Sequence, residues 1–398
     1  MTAAVHIDGW VDPAFDAVRE AFARNFSVFD EKGAACSVYV DGEPKVDLWG
    51  GVADTATARP WTEDTLVLVY SASKGATAVL CHRLAEEGLL DLDAPMSRYW
   101  PEFAQRGKAE TTVRMVLSHQ AGLPALDTVF ARDELLDGAR VAQALAGQGP
   151  LWEPGAGYGY HALTFGWLLG ELVRRVTGES VGAAFAAYVS APLGIEFFIG
   201  LPEGLEQRVA LLVDAVAPGP DALEAISDPE LRSRITEAMA PDSLFSRVLS
   251  TNGALPTPSA QVWNDRALWH AEQPAVNGIT NARSLARMYA ACVGTVDGVR
   301  LISEQSLARA LVHRDVGPDR FVPVSSLHGT GFQLPDAIAP LLSDASFGHP
   351  GAGGALGFAD RRFRVGFGYT QNQLGGSLTG EQPRTLAIID ALRSCVCR

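Results

Sequence analysis

A chain of 398 residues with 47% hydrophobic and 20% charged residues has globular composition and sits far from the low-hydrophobicity signature of disorder. Its net charge of −14 excludes a general affinity for nucleic acid or anionic membrane. The basic residues are 28 arginines and only four lysines, Lys32, Lys45, Lys74 and Lys108, so the last 290 residues hold no lysine motif of any kind.

The first residues, Met1 to Asp8, carry neither a basic n-region nor an apolar h-region, so no signal peptide is expected. No apolar run approaches the roughly 18 residues of a membrane span, and the expectation is a soluble cytoplasmic protein. Asp12-Pro13 opens a helix whose apolar positions Phe15, Val18, Phe22 and Phe26 recur at helical spacing. Ser37-Val38-Tyr39-Val40 and Val46-Asp47-Leu48-Trp49 flank the turn Asp41-Gly42-Glu43 as a hairpin. Helical periods follow over 112–118, 163–176 and 282–292. Residues 198–275, with many prolines and with Trp263 and Trp269, read as long irregular surface that shapes a pocket. Ala355-Leu356-Gly357-Phe358-Ala359 and Phe363-Arg364-Val365-Gly366-Phe367-Gly368-Tyr369 alternate as strands, and 385–392 form a closing helix.

Strands at both ends and helices between them predict an α+β fold. The two ends would meet in one antiparallel sheet, with residues 1–80 and 285–398 as an α/β domain and 81–284 as a mostly helical one. The five cysteines show no disulfide spacing, and Cys395-Val396-Cys397 reads as a frayed tail rather than a metal site.

Neither a P-loop nor H-E-x-x-H occurs. Ser71-Ala72-Ser73-Lys74 remains, and Lys74 alone among the lysines has a serine three positions before it. It follows the apolar run Leu66-Val67-Leu68-Val69-Tyr70 and opens a helical stretch. A serine there sits near unpaired N–H groups, and the residue three positions on shares its face. A buried lysine at that place loses its proton and can act as base. The same residues also fit an N-capping serine followed by a solvated lysine. A second cluster, Trp152-Glu153-Pro154-Gly155-Ala156-Gly157-Tyr158-Gly159-Tyr160-His161-Ala162, delivers a tyrosine to a helix start. Tyr160 can relay the serine proton, with Tyr158 as its rival; the alternative is an aromatic that packs on the helix. A third, Phe347-Gly348-His349-Pro350-Gly351-Ala352-Gly353-Gly354, lets backbone pass close to a ligand, and equally suits an ordinary glycine turn.

The order Ser71-x-x-Lys74, Pro154-Gly155 with Tyr160, then His349-Pro350-Gly351 resembles the serine beta-lactamase-related family, in particular its esterase branch, the family VIII carboxylesterases. The connecting segments 88–95, 112–123 and Asn277-Gly278-Ile279 fit the same pattern, and the resemblance spans about residues 20–395. It implies a beta-lactamase/penicillin-binding fold with the site between sheet and helical lobe. It implies Ser71 as nucleophile, Lys74 and Tyr160 as the base pair, and the N–H groups of Ser71 and Ala352 as the oxyanion hole. Gly351 and His349 would line the substrate site, and His119 would be structural. No metal or organic cofactor is expected.

Two departures bear on substrate. Tyr160-His161-Ala162 has alanine where beta-lactamases of this type carry the Asn of Tyr-x-Asn. His349-Pro350-Gly351 stands in place of Lys-Thr-Gly. A neutral imidazole holds a carboxylate less strongly than an ammonium, so a small neutral ester is the expected substrate. Amide, lactam or D-amino acid peptide hydrolysis is the alternative within the family, and a non-catalytic scaffold on the same fold is the remote one.

Overall fold

The computed structural model describes residues 5–215, 221–337, 339–375 and 382–397. Its larger sheet is built from β1 (Ile7–Val11), β2 (Gly33–Val40), β3 (Glu43–Asp54) and the short β4 (Arg59–Pro60) at one end of the chain. From the other end come β8 (Ser346–Pro350), β9 (Leu356–Asp360) and β10 (Val365–Gln371). The strand order is β1-β3-β2-β10-β9-β8, with β4 on β3 and every pairing antiparallel. The two ends of the chain meet where β2 pairs with β10, Val38 opposite Phe367. A second sheet, in the order β5-β7-β6, joins β5 (Val67–Leu68) to β6 (Phe197–Ile199) and β7 (Gly278–Thr280).

The period-2 pattern decides what each face of the large sheet covers. Cys36, Val38, Val365, Phe367 and Tyr369 pack with Val18 and Phe22 of α1 (Asp16–Val28) and with Ile388 and Leu392 of the C-terminal helix Pro383–Val396. The opposite face takes the helix Ala282–Val293, whose Leu285, Ala286 and Met288 belong to the main core. That helix lies close because β10 presents glycine to it. A Cβ on Gly366 would stand 2.3 Å from the Ala286 carbonyl oxygen, and one on Gly368 2.3 Å from that of Ala282.

The N-terminal helix begins as its sequence suggests: Asp12 caps a short 3-10 turn by accepting the Ala14 N–H, and α1 continues from it. Residues 198–275 depart from the expectation of long irregular surface. They contain the helices Pro229–Ala238, Leu244–Ser250, Ala260–Trp263 and Arg266–His270. Trp263 and Trp269 are buried at 0% and 2% exposure, so both belong to the core and not to a pocket wall. The glycine-rich segment after Phe347 also differs, since its first residues form edge strand β8 before the turn. No helix among the described residues is long and apolar enough to cross a membrane.

Candidate active site

The helix α2 (Ala72–Glu86) starts at the junction of the two sheets. Its lead-in is fixed twice. The Ser73 hydroxyl donates to the Tyr70 carbonyl at 2.5 Å and accepts the Gly278 N–H at 2.8 Å, tying the helix start to β7. Tyr70 takes φ +46°, a conformation that costs a non-glycine residue of order 1–3 kcal/mol. It is held there by burial and by an edge-on contact with Trp263, ring centroids 5.9 Å apart. This bend turns Ser71 out at the helix N-terminus.

Ser71 makes no side-chain cap bond. Its Oγ instead accepts a hydrogen bond from Lys74 Nζ at 3.0 Å. Lys74 is completely buried, donates a second bond to the Ala275 carbonyl at 3.0 Å, and has no ion-pair partner among the described residues. Burial without a counter-charge holds its amine well below the usual lysine range. The capping serine with a solvated lysine is therefore not the arrangement found. Tyr160 lies over the amine, its ring centre 4.9 Å from Lys74 Nζ. Burial raises its phenol, and a hydrogen bond with Ser71 opposes the rise. Tyr158 lines the same cleft as Ser71 and Tyr160, but its hydroxyl is engaged 3.0 Å from His328 Nδ1.

Gly351 donates its N–H to the Ala355 carbonyl at 2.6 Å, and a Cβ on it would stand 2.1 Å from the Val69 oxygen. Its lack of a side chain is what lets the β8 turn lie against the strand that leads to Ser71. Among the described residues neither the Ser71 N–H nor the Ala352 N–H is given to a backbone acceptor. Both residues line one cleft of about 330 Å³ with Tyr160, Ala162, Phe245, Leu249, Gln333 and His349. None of the side chains that line it is an arginine or lysine. A larger hollow of about 510 Å³, along the far end of α2 by Asp91 and Arg114, contains none of Ser71, Lys74 and Tyr160. His349 turns its Nδ1 to its neighbour's carbonyl, Pro350 O, at 2.8 Å.

Several participants carry no signal in the sequence. Asp319 is buried and accepts the Tyr160 N–H at 2.9 Å as well as the N–H groups of Phe321 and Val322, so it folds a distant loop onto Tyr160. The Ala275 carbonyl is aimed at Lys74 by Asn277, which accepts the Gln273 N–H at 3.0 Å and donates to Leu268 O at 2.9 Å. His328, far from every motif, joins His119 beside Tyr160. Of these, Asn277 lies in a segment, Asn277-Gly278-Ile279, that fits the family resemblance.

Comparison with known proteins agrees with this fold. The family model described as Beta-lactamase matches residues 22–391. The chain is 38% identical over 374 residues to the esterase/beta-lactamase LipL of Mycobacterium tuberculosis, covering 92% of this chain and 83% of LipL. A crystal structure of a family VIII carboxylesterase superposes with TM-score 0.84 at 37% identity, covering 98% of this chain and all of that one. EstA from Arthrobacter nitroguajacolicus Rue61a gives TM-score 0.83 at 31% identity, covering 98% and 99%. With the fold, the ordered motifs and these relatives in agreement over nearly its whole length, the chain belongs to the beta-lactamase family.

Proposed function

We propose that the protein is a carboxylesterase that hydrolyses small neutral esters through an acyl-enzyme on Ser71. The observation that carries the reading is the 3.0 Å contact between Ser71 Oγ and a fully buried Lys74 amine that lacks an ion-pair partner among the described residues. An amine held neutral by burial can take the hydroxyl proton, whereas an ammonium cannot.

The directions of the two shifts divide the labour. Lys74, lowered, is the base; Tyr160, raised, keeps its proton and serves as relay and acid. As Lys74 withdraws the proton, Ser71 Oγ forms a bond to the ester carbon. The N–H groups of Ser71 and Ala352 stabilise the oxyanion, each contributing about 3 kcal/mol in the transition state. Collapse breaks the ester C–O bond, and the alcohol leaves with a proton from Tyr160, which Lys74 replaces. Water then repeats the sequence on the acyl-enzyme. Among the described residues no Arg or Lys lines the cleft, which supports a neutral substrate, because a carboxylate would find no cationic anchor among them.

Ser71→Ala is expected to abolish hydrolysis of p-nitrophenyl butyrate, and intact-protein mass spectrometry should show the butyryl adduct on the wild type alone. A variant that kept most of the activity would move the nucleophile elsewhere. LipL is named both esterase and beta-lactamase, which supports lactam hydrolysis as a second reading. Nitrocefin turnover that matched the ester rate would favour it.

A further inference from the structure

Three histidines meet beside Tyr160. His119, His328 and His349 are each 5% exposed or less, and one ring nitrogen from each lies within 4.8 Å of the others. The rings of His119 and Tyr160 are 4.7 Å apart, and those of His328 and His349 each stand 6.2 Å from Tyr160. Nε2 of His328 and Nε2 of His349 are both buried with no hydrogen-bond partner among the described residues. An orphaned buried nitrogen costs about 1–3 kcal/mol, and two in one place point to something that they bind.

The hydrogen bonds at the other nitrogens fix what that can be. His349 Nδ1 faces the Pro350 carbonyl at 2.8 Å, so it carries the proton and leaves a lone pair on Nε2. His328 Nδ1 lies 3.0 Å from the Tyr158 hydroxyl and 3.3 Å from the Ser326 carbonyl; the hydroxyl can accept as well as donate but the carbonyl only accepts, so a proton on Nδ1 serves both and leaves Nε2 as an acceptor. His119 is the reverse: its Nδ1 accepts the His161 N–H at 3.1 Å, so its Nε2 is an N–H donor. The cluster thus offers one donor and two lone pairs. A divalent cation needs three lone pairs at about 2 Å, and the third is committed to His161. A water molecule has the complementary set, two O–H donors and an acceptor. Three partners about 2.8 Å from one oxygen stand about 4.6 Å apart when tetrahedrally placed, which fits the observed spacing. Burial keeps all three rings uncharged, so the pattern of donor and acceptors persists into mildly acidic solution.

We propose that His119, His328 and His349 hold one water molecule beside Tyr160, and that this is the water that hydrolyses the acyl-enzyme. The proposal rests on the acyl-enzyme reading above. In the step, the water turns one O–H from a histidine nitrogen to the Tyr160 hydroxyl, its oxygen bonds to the acyl carbon, and a proton passes through Tyr160 to the Lys74 amine. The tetrahedral intermediate then collapses, the bond from carbon to Ser71 Oγ breaks, and Lys74 returns the proton to Oγ across their 3.0 Å contact. The histidines take no proton; they are positioning residues. His328 is the informative member, because it is absent from the lining of the cleft that would hold the acyl group.

The test separates acylation from deacylation in wild type, His328→Phe and His328→Gln. Stopped-flow release of p-nitrophenol from p-nitrophenyl butyrate reads the first step, and decay of the butyryl adduct by intact-protein mass spectrometry reads the second. His328→Phe should acylate at a rate within a few-fold of wild type and deacylate roughly tenfold to a hundredfold more slowly, as misplacement of a reactant does. It should therefore accumulate adduct, and His328→Gln, which retains an acceptor, should recover part of the loss. Equal loss in both steps, or unchanged deacylation, overturns the proposal. So does Zn²⁺ inhibition of the wild type that His328→Phe abolishes, which would make the cluster a cation site. Failure of the wild type to form any adduct on Ser71 would instead overturn the esterase mechanism.

Discussion

In the proposed mechanism Lys74 works only as the neutral amine, and it is burial rather than any partner that holds its value low. The acid limb of the pH–rate profile should therefore report protonation of this amine: kcat/KM falls as pH drops through its lowered value and is restored as pH rises. Lys74→Arg tests the argument sharply. A guanidinium stays charged at every accessible pH and cannot take the Ser71 proton, so kcat should drop by about 10²–10⁴, the usual worth of a general base. Retention of activity in Lys74→Arg would mean that the cation, not the free base, is what the site uses. Tyr160→Phe and Tyr158→Phe divide in the same assay, the first losing most of kcat. The motif Ser71-Ala72-Ser73-Lys74 was visible in the sequence because i and i+3 share a helix face. The choice between a capping serine and a reactive one was not, since it turns on Tyr70 φ and on Ala275, 201 residues away from Lys74.

At the scale of elements, the site is an edge where one strand and two helix ends meet. Edge strand β8 ends in Pro350, and the turn after it lies on the Val69 carbonyl. Gly351→Ala puts a methyl 2.1 Å from that oxygen, so β8 or the lead-in to Ser71 must move apart and take the Ala352 N–H with it. The expected outcome is a loss of about 10²–10³ in kcat, the cost of an oxyanion donor, with a folded protein by circular dichroism; unchanged kcat would remove Ala352 from the oxyanion hole. Asn277→Ala attacks the other side. It unpairs the Gln273 N–H and the Leu268 carbonyl in the core and should cost about 1–3 kcal/mol of stability, read in urea denaturation. The hairpin, the closing strands and the long helices were legible because their period is local. The helices between 229 and 270 were not, because short polar segments such as Pro229–Ala238 have weak periodicity and are stabilised by the surface that they cover.

Across the whole molecule the alternating segments at the two ends declared that they would share a sheet, but not what locks them. That lock is a buried group with no sequence signature. Glu31, between α1 and β2, accepts the Tyr369 hydroxyl at 2.6 Å and lies 3.4 Å from Arg384 of the C-terminal helix; Asn25 donates to the Arg384 carbonyl at 3.3 Å. Two influences oppose each other on the carboxyl. Burial raises it, while Arg384, Tyr369 and the Lys32 N–H lower it, with Asp30 adding a small rise; burial wins and pushes it up to about 7. A folded value above the unfolded 4.5 means that the native state binds this proton more tightly. The contribution is complete below about pH 4.5 and is lost as pH rises through about 7. That loss opposes the stability gained over the same interval by the buried neutral histidines, whose values are lowered, so Glu31→Gln, which keeps a neutral polar group in the same place, should change more favourably in Tm than the wild type between pH 5 and pH 8. Calorimetry of both proteins at the two pH values decides it. If the two Tm values change in parallel, Arg384 has overcome burial and Glu31 is ionised in the native state.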